Sequence, residues 1–292
     1  MARKGILSVV IMLGLLACIN DGLYAQFASG DETLEKMKEL SEFDHWPGKT
    51  GPVRAGLRLS QKLISALAGA RDVWQNDQAM LWEIEGGQVV KRGYRWQTES
   101  GDDVYVDLTV AESCQEAHEY LIERCYYTSL PFELRILRRD QPTVAGDISF
   151  RGGRKFIRNN LVVEISAEGE MKERIMEIAK EVDALLLTRP TAPSADQMKP
   201  VIERFEIAQD PVKEGSLTRL FIKVRAPQGG ELEYQWRLTG GGIKEESGAY
   251  YYHGGDQGDQ KLTFIVINDS GFASSTEIEI AVQEDDFFRS SR

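Results

Sequence analysis

Histidine and cysteine are both scarce in this chain, with three of each among 292 residues. A zinc site needs several converging ligands, and a nucleophilic site needs a base beside its nucleophile. Short spacings such as His-x-x-x-His or Cys-x-x-Cys are their usual trace. His45, His118 and His253 stand too far apart to supply one. No Gly-x-Ser-x-Gly elbow surrounds Ser60, Ser65 or Ser113. Gly48-Lys49-Thr50 resembles the end of a phosphate-binding loop, but Phe43 stands where that loop needs its first glycine. No cofactor, metal or catalytic residue is therefore assigned. His45, in Phe43-Asp44-His45-Trp46-Pro47, reads as part of a segment capping the core, and His118 as a packed helical residue.

Positive charge is in deficit. Thirty-five Lys and Arg against 46 Asp and Glu leave a formal net charge of −11. An acidic chain repels phosphate backbones, which excludes general nucleic-acid binding. Long apolar runs are missing too, except at the start. Residues 6–16 (ILSVVIMLGLL) follow Arg3 and Lys4 and precede small and polar residues. Eleven residues of helix rise about 16 Å, too little for a hydrocarbon core of about 30 Å. A charged head, an apolar middle and a small-residue end are the three zones of an export signal. Two cuts compete. Leu15-Leu16-Ala17-Cys18 resembles a bacterial lipobox, which would put a lipid on Cys18, and Leu23-Tyr24-Ala25-Gln26 offers cleavage after Ala25. The expected product is periplasmic or extracellular, with a membrane contact only through such an anchor.

The remaining cysteines, Cys114 and Cys125, lie on one expected helix. Eleven helical residues hold their ends about 16 Å apart, whereas a disulfide needs Cα atoms within about 7 Å. Two buried free thiols are expected.

Proline punctuates the chain at one place. Residues 188–200 (TRPTAPSADQMKP) hold three prolines among small and polar residues, the composition of an extended, semi-rigid spacer. The spacer separates a region at 31–187 from one at 201–283, with a signal at 1–25 and a charged tail at 284–292.

The first region mixes helix and strand. Leu59, Leu63, Leu67 and Ala70 predict a helix over 56–73. Residues 80–84 and 89–97 read as a hairpin around Gly86-Gly87. Val104, Val106, Leu108 and Val110 alternate as a strand. Ser113 is placed to cap a helix carrying Cys114, Ala117, Leu121 and Cys125 on one face. The order then recurs: strands at 132–137 and 146–158, alternation at Leu161, Val163 and Ile165, and a helix with Ile175, Ile178, Val182 and Leu185 on one side. VDLTVAES and VEISAEGE resemble each other loosely, so the region reads as two strand-strand-helix units forming an antiparallel sheet with helices on one face.

The second region reads as strands throughout, at 203–207, 219–224, 231–238, 261–267 and 275–282, which indicates a β-sandwich. Tyr234-Gln235-Trp236 and the segment LTFIVINDSGFASSTEIEIAV, with Gly271 at its turn, resemble the PKD and wider immunoglobulin-like families across about 80 residues. After Trp236 the chain has Arg-Leu-Thr-Gly-Gly-Gly in place of the Asp-Phe-Gly-Asp-Gly type of turn found in PKD domains. The resemblance implies an immunoglobulin-like sandwich with a core tryptophan on a central strand, acting as a spacer or a ligand-binding module. The pattern Gly146-Asp147-x-x-Phe150, Phe156-x-Arg158-x-Asn160-x-Val162-Val163 and a final amphipathic helix is similar to α+β domains of exported bacterial proteins, and implies no activity.

Two binding surfaces suggest themselves. Between Glu123 and Arg158 eight Lys or Arg face four acids, and a hairpin through Arg151, Arg154, Lys155 and Arg158 would present a cationic tip to an anionic partner. Aromatic side chains stack on sugars and rings. Tyr94 and Trp96, on one strand face beside Arg92, form a second candidate, and Tyr250-Tyr251-Tyr252-His253 a lesser one. His253 to Asp259 (HGGDQGD) has too few carboxylates for calcium. Asn268-Asp269-Ser270 matches a glycosylation sequon. The sequence thus predicts an exported, non-enzymatic binding or scaffolding protein with a protein or envelope polymer as partner. The alternative is a hydrolase of envelope polymers whose carboxylates are placed by the fold.

Overall fold

The computed structural model describes residues 34–36, 38, 39, 41–84, 87–128 and 143–284. The export signal with Cys18, the strand expected at 132–137, the side chain of Cys125 and the tail lie outside these residues. No described helix is long and apolar enough to cross a membrane.

The chain divides into two compact units, Met1–Trp46 with Ile122–Arg135, and Pro47–Leu121 with Ile136–Arg292. In the smaller, the rings of Phe43 and Trp46 meet edge to face at 5.1 Å, and the Trp46 indole donates to the Ser41 carbonyl at 2.9 Å. All that follows concerns the larger unit, together with residues 122–128 that end its helix at Cys114–Thr128.

It is rich in β-structure. Its elements run β1 (Val53–Arg54), β2 (Arg71–Ile84), β3 (Gly87–Gln97), β4 (Asp103–Ala111), α1 (Cys114–Thr128), β5 (Ile148–Phe150), β6 (Lys155–Arg158), β7 (Leu161–Ala167), α2 (Ile175–Leu187), β8 (Thr191–Ala192), β9 (Val201–Ile207), β10 (Val212–Lys213), β11 (Leu217–Arg225), β12 (Leu232–Leu238), β13 (Gly242–Glu246), β14 (Ala249–His253), β15 (Gly258–Asn268) and β16 (Ala273–Gln283). The helix expected at 56–73 does not form. Two short 3-10 turns, Gln61–Leu63 and Ser65–Leu67, stand there, and β2 begins at Arg71. Leu59, Leu67 and Ala70 are buried all the same, while Leu63 is half exposed. Gly69 adopts a φ of +85°, which ends any helix at that point.

Six strands make an antiparallel sheet in the order β2-β3-β4-β7-β6-β5. Two three-stranded meanders meet at the central pair β4 and β7. Asp107 lies directly opposite Glu164, Val106 opposite Ile165, and Leu108 opposite Val163. Asp107 and Glu164 are equivalent positions of the two similar segments, so the segments pair about a local two-fold axis that passes between these two residues.

One face of the sheet carries Tyr94, Trp96, Val104, Val106, Leu108, Phe156, Val163 and Ile165. Helix α2 covers this face with Ile175, Ile178, Ala179, Val182 and Leu186, and Leu185 packs on the margin. The expectation of cover on one face alone is too simple. Ile148, Phe150, Ile157 and Val162 point the other way and are equally buried, so at β5–β7 both faces are shielded. The second face also carries two ion pairs. Lys91 bonds Asp107 at 2.7 Å and Lys155 bonds Glu164 at 2.6 Å. Each lysine neutralises one member of the facing acid pair, whose direct juxtaposition would otherwise be repulsive. Ser113 caps α1 as expected, accepting the Glu116 amide at 3.1 Å.

Residues 201–283 form two four-stranded sheets, β10-β16-β15-β12 and β13-β14-β11-β9. They enclose one core around Val212, Leu220, Tyr252, Leu262, Ile280 and Val282. The hairpin of β15 and β16 turns at Gly271, where φ is +82°. Trp236 packs on Phe264 at 4.7 Å, but β12 is an edge strand. It is not the central strand implied by the family resemblance.

The expected spacer is bound along its length. Thr191 and Ala192 pair with Arg54 and Val53. Ala192, Ala195 and Met198 enter the core under the six-stranded sheet. Lys199 bonds Glu112 at 2.6 Å. Apolar side chains interleaved with the prolines, rather than the prolines themselves, decide the outcome: burying them outweighs the entropy of a free linker.

Candidate functional site

The pattern Gly146-Asp147…Arg158-x-Asn160 assembles a polar network at the β6–β7 turn. The Arg158 guanidinium donates to both Asp183 oxygens at 2.7 Å and to Asp147 at 2.7 Å. Asp147 also accepts the Asn159 amide at 2.6 Å, and Asp183 the Gly146 amide at 2.9 Å. Asn159 holds a left-handed turn at φ +55°, a conformation Asn tolerates better than most residues. Its side chain accepts from Arg54 at 3.0 Å. Arg54 also donates to the carbonyls of Leu187 and Arg189, at 3.1 and 2.8 Å, closing the end of α2. Asn160 is fully buried, bonding the Arg54 amide and the Ala111 carbonyl. Hydrogen bonds to Asp183 raise the Arg158 pKa against the opposing cost of burial. This network locks the fold.

The cationic hairpin therefore divides. Lys155 and Arg158 are committed to Glu164 and to the Asp147–Asp183 pair. Arg151 and Arg154, in the turn between β5 and β6, are exposed. Arg151 takes a positive φ of 53° ahead of Gly152 and Gly153, which holds the turn tight.

The aromatic candidate is core. Tyr94 and Trp96 are 2% and 0% exposed and stack 5.8 Å apart with nearly parallel rings, so no sugar reaches them. Arg92, the third member, is buried also. It meets Glu233 of β12 at 3.2 Å. Alternation explains all three positions, because residues 90, 92, 94 and 96 share the face that meets α2 at one end and residues 201–283 at the other.

That second contact is a polar constellation absent from the sequence reading. Glu233 accepts the Ala79 amide at 2.8 Å as well as Arg92. Gln235 donates to the Ala79 carbonyl, and Arg237 to that of Leu81 at 3.2 Å. Beside them Ala79, Leu81 and Val90 pack on Ile265, Ile267 and Ala273. Asn268 donates to the Met198 carbonyl at 2.6 Å and accepts the Phe272 amide at 3.0 Å. It is 1% exposed, which removes the sequon from use in the folded chain. The crevice between Gly56, Arg92, Val110 and Ser270 has no room for a water molecule, so it is not a small-molecule pocket.

No family model, curated protein or solved structure matches this chain. Its chemistry rests on its own residues.

Among the described residues no group of three or more His, Cys, Asp or Glu is arranged to hold a metal ion. His118 is fully buried, with Nδ1 at 2.7 Å from the Cys114 carbonyl and Nε2 at 2.9 Å from that of Pro47. Burial lowers its pKa, and hydrogen bonds to the two carbonyls oppose this more weakly. Cys114 is a buried free thiol, pushed up to about 11 by burial, so it is not a thiolate nucleophile at neutral pH. His253 ends β14, and Tyr252 beside it is a core residue.

Proposed function

We propose that this chain is an exported binding or scaffolding protein of the cell envelope or extracellular space, in which an immunoglobulin-like sandwich is fused to an α+β domain. Export is supported by the three-zone start of the sequence, with Cys18 or Gln26 as the first mature residue. The sandwich reading is supported by two four-stranded sheets over one core and by the Gly271 turn of the β15–β16 hairpin. The binding reading is carried by one observation: Arg151 and Arg154 are exposed in a turn braced by glycines. The turn thus presents cations on a stiff frame, which suits an anionic envelope polymer or an acidic protein surface.

The test is charge reversal at both positions, R151E/R154E, in the processed protein. Capture of envelope material from cell extracts falls for the variant. In the wild type it weakens as salt rises, because exposed charges are screened within about 8 Å at physiological ionic strength. An unchanged set of captured partners would remove the turn from the account.

A further inference from the structure

A strand at the end of a sheet offers backbone groups to any passing strand, and proteins that stay monomeric cover them. Strand β2 ends the six-stranded sheet, and its cover is unusual. Alternate residues of a strand point their backbone groups to the same side, and at Ala79 and Leu81 that side faces away from β3. These groups meet side chains. The Ala79 amide donates to Glu233 at 2.8 Å, its carbonyl accepts from Gln235, and the Leu81 carbonyl accepts from Arg237 at 3.2 Å. Three alternate residues of β12 thus do the work of a neighbouring strand. Their aromatic neighbours Tyr234 and Trp236 turn inward onto Phe264.

The covered segment is itself suited to pairing. Residues 79–82 (AMLW) carry no charge, whereas exposed edges are commonly protected by lysine or proline. Three of the seven exposed large apolar side chains among the described residues belong to β2: Val73 at 41%, Met80 at 41% and Trp82 at 50%. Met80 and Trp82 lie on the face opposite Ala79 and Leu81, so the contact with β12 leaves them in solvent. Pairing with another β2 would cover them.

We propose that Glu233, Gln235 and Arg237 form an intramolecular guard, and that what they exclude is β2 of a second copy of this chain, added edge to edge about a two-fold axis. An antiparallel pair of identical strands is self-complementary. It would join two six-stranded sheets and set Met80 and Trp82 of each copy against the other. The guard is held by the three polar side chains, by Arg92 on Glu233, and by the small cluster of Ala79, Leu81 and Val90 with Ile265, Ile267 and Ala273. Whatever draws β12 off the β2 edge therefore switches the chain from monomer to dimer.

The test uses the full chain with E233A/Q235A/R237A, and separately Ala273→Arg, which wedges the cluster open should the first variant fail to fold. Sedimentation over rising concentration reads the mass, and amide exchange at Ala79 reads the edge. The expected result is a doubling of mass relative to the wild type, with the Ala79 amide protected in the dimer. Adding Leu81→Pro, which removes an edge donor, restores the monomer. A folded monomer with a fast-exchanging Ala79 amide would overturn the proposal. So would an Ala79 amide still protected in a monomeric variant, a dimer indifferent to Leu81→Pro, or loss of fold in both variants, which would make the contact core rather than cover.

Discussion

Arg92 of β3 and Glu233 of β12 meet at 3.2 Å with side chains 5% and 18% exposed, and they join the six-stranded sheet to the strands of 201–283. Desolvating both charges costs energy that only their pairing and hydrogen bonds recover. Glu233→Leu alone leaves Arg92 buried without its carboxylate and is expected to destabilise the chain by about 3 kcal/mol. Arg92→Met with Glu233→Leu is expected to lose much less. Urea denaturation of the four chains of this double-mutant cycle checks the ordering. Equal losses in the single and double variants would contradict it.

Arg158→Lys is expected to cost about 1.5–3 kcal/mol, the range for hydrogen bonds to charged groups. A lysine ammonium cannot span both Asp183 oxygens and Asp147 as the guanidinium does. The same denaturation measurement applies. A neutral result would mean that the network carries no stability.

His118 gives the chain a pH dependence. Its folded pKa lies below the ordinary imidazole value of 6.5 because the ring is buried. The unfolded chain therefore binds more protons between those two values, and stability falls as pH drops through that window. A neutral ring also donates to only one of its two carbonyls, so replacement by an amide is tolerable. Between pH 7.5 and 5, wild-type stability measured by urea should decline more than that of His118→Gln. Parallel curves would show that His118 is not the titrating group.

Gly56 passes close to Val110. A Cβ there would lie 2.9 Å from a Val110 methyl and 3.0 Å from the Ser270 carbonyl. Gly56→Ala is expected to cost about 1–3 kcal/mol by overpacking, seen as a lower melting temperature. An unchanged value would mean that this crossing is loose.

Local pattern carried much of the fold. The alternation of Val104, Val106, Leu108 and Val110, the Ser113 cap, the stripe of α2 and the hairpin about Gly271 all follow from side-chain period and turn chemistry. Where period was ambiguous, reading failed: Leu59, Leu63 and Leu67 fit a helix, yet they sit in irregular backbone and 3-10 turns. The candidate sites failed for a different reason. Alternation placed Arg92, Tyr94 and Trp96 on one face without saying which face is covered, and that depends on residues up to 141 positions away, such as Glu233. Arg158 looked like a free cation because its partner Asp183 lies on α2, 25 positions on. Glu233, Gln235 and Arg237 alternate with Tyr234 and Trp236, but their target, the backbone edge of β2, has no signature in side chains.

The account depends on residues 47–121 and 136–283 behaving as one body rather than as two domains on a tether. Amide exchange of Val163 in β7 and Phe264 in β15, followed through rising urea, tests this most directly. Both amides should converge on one global unfolding free energy with a single slope. Release of Phe264 at lower urea, with Val163 still protected, would contradict it.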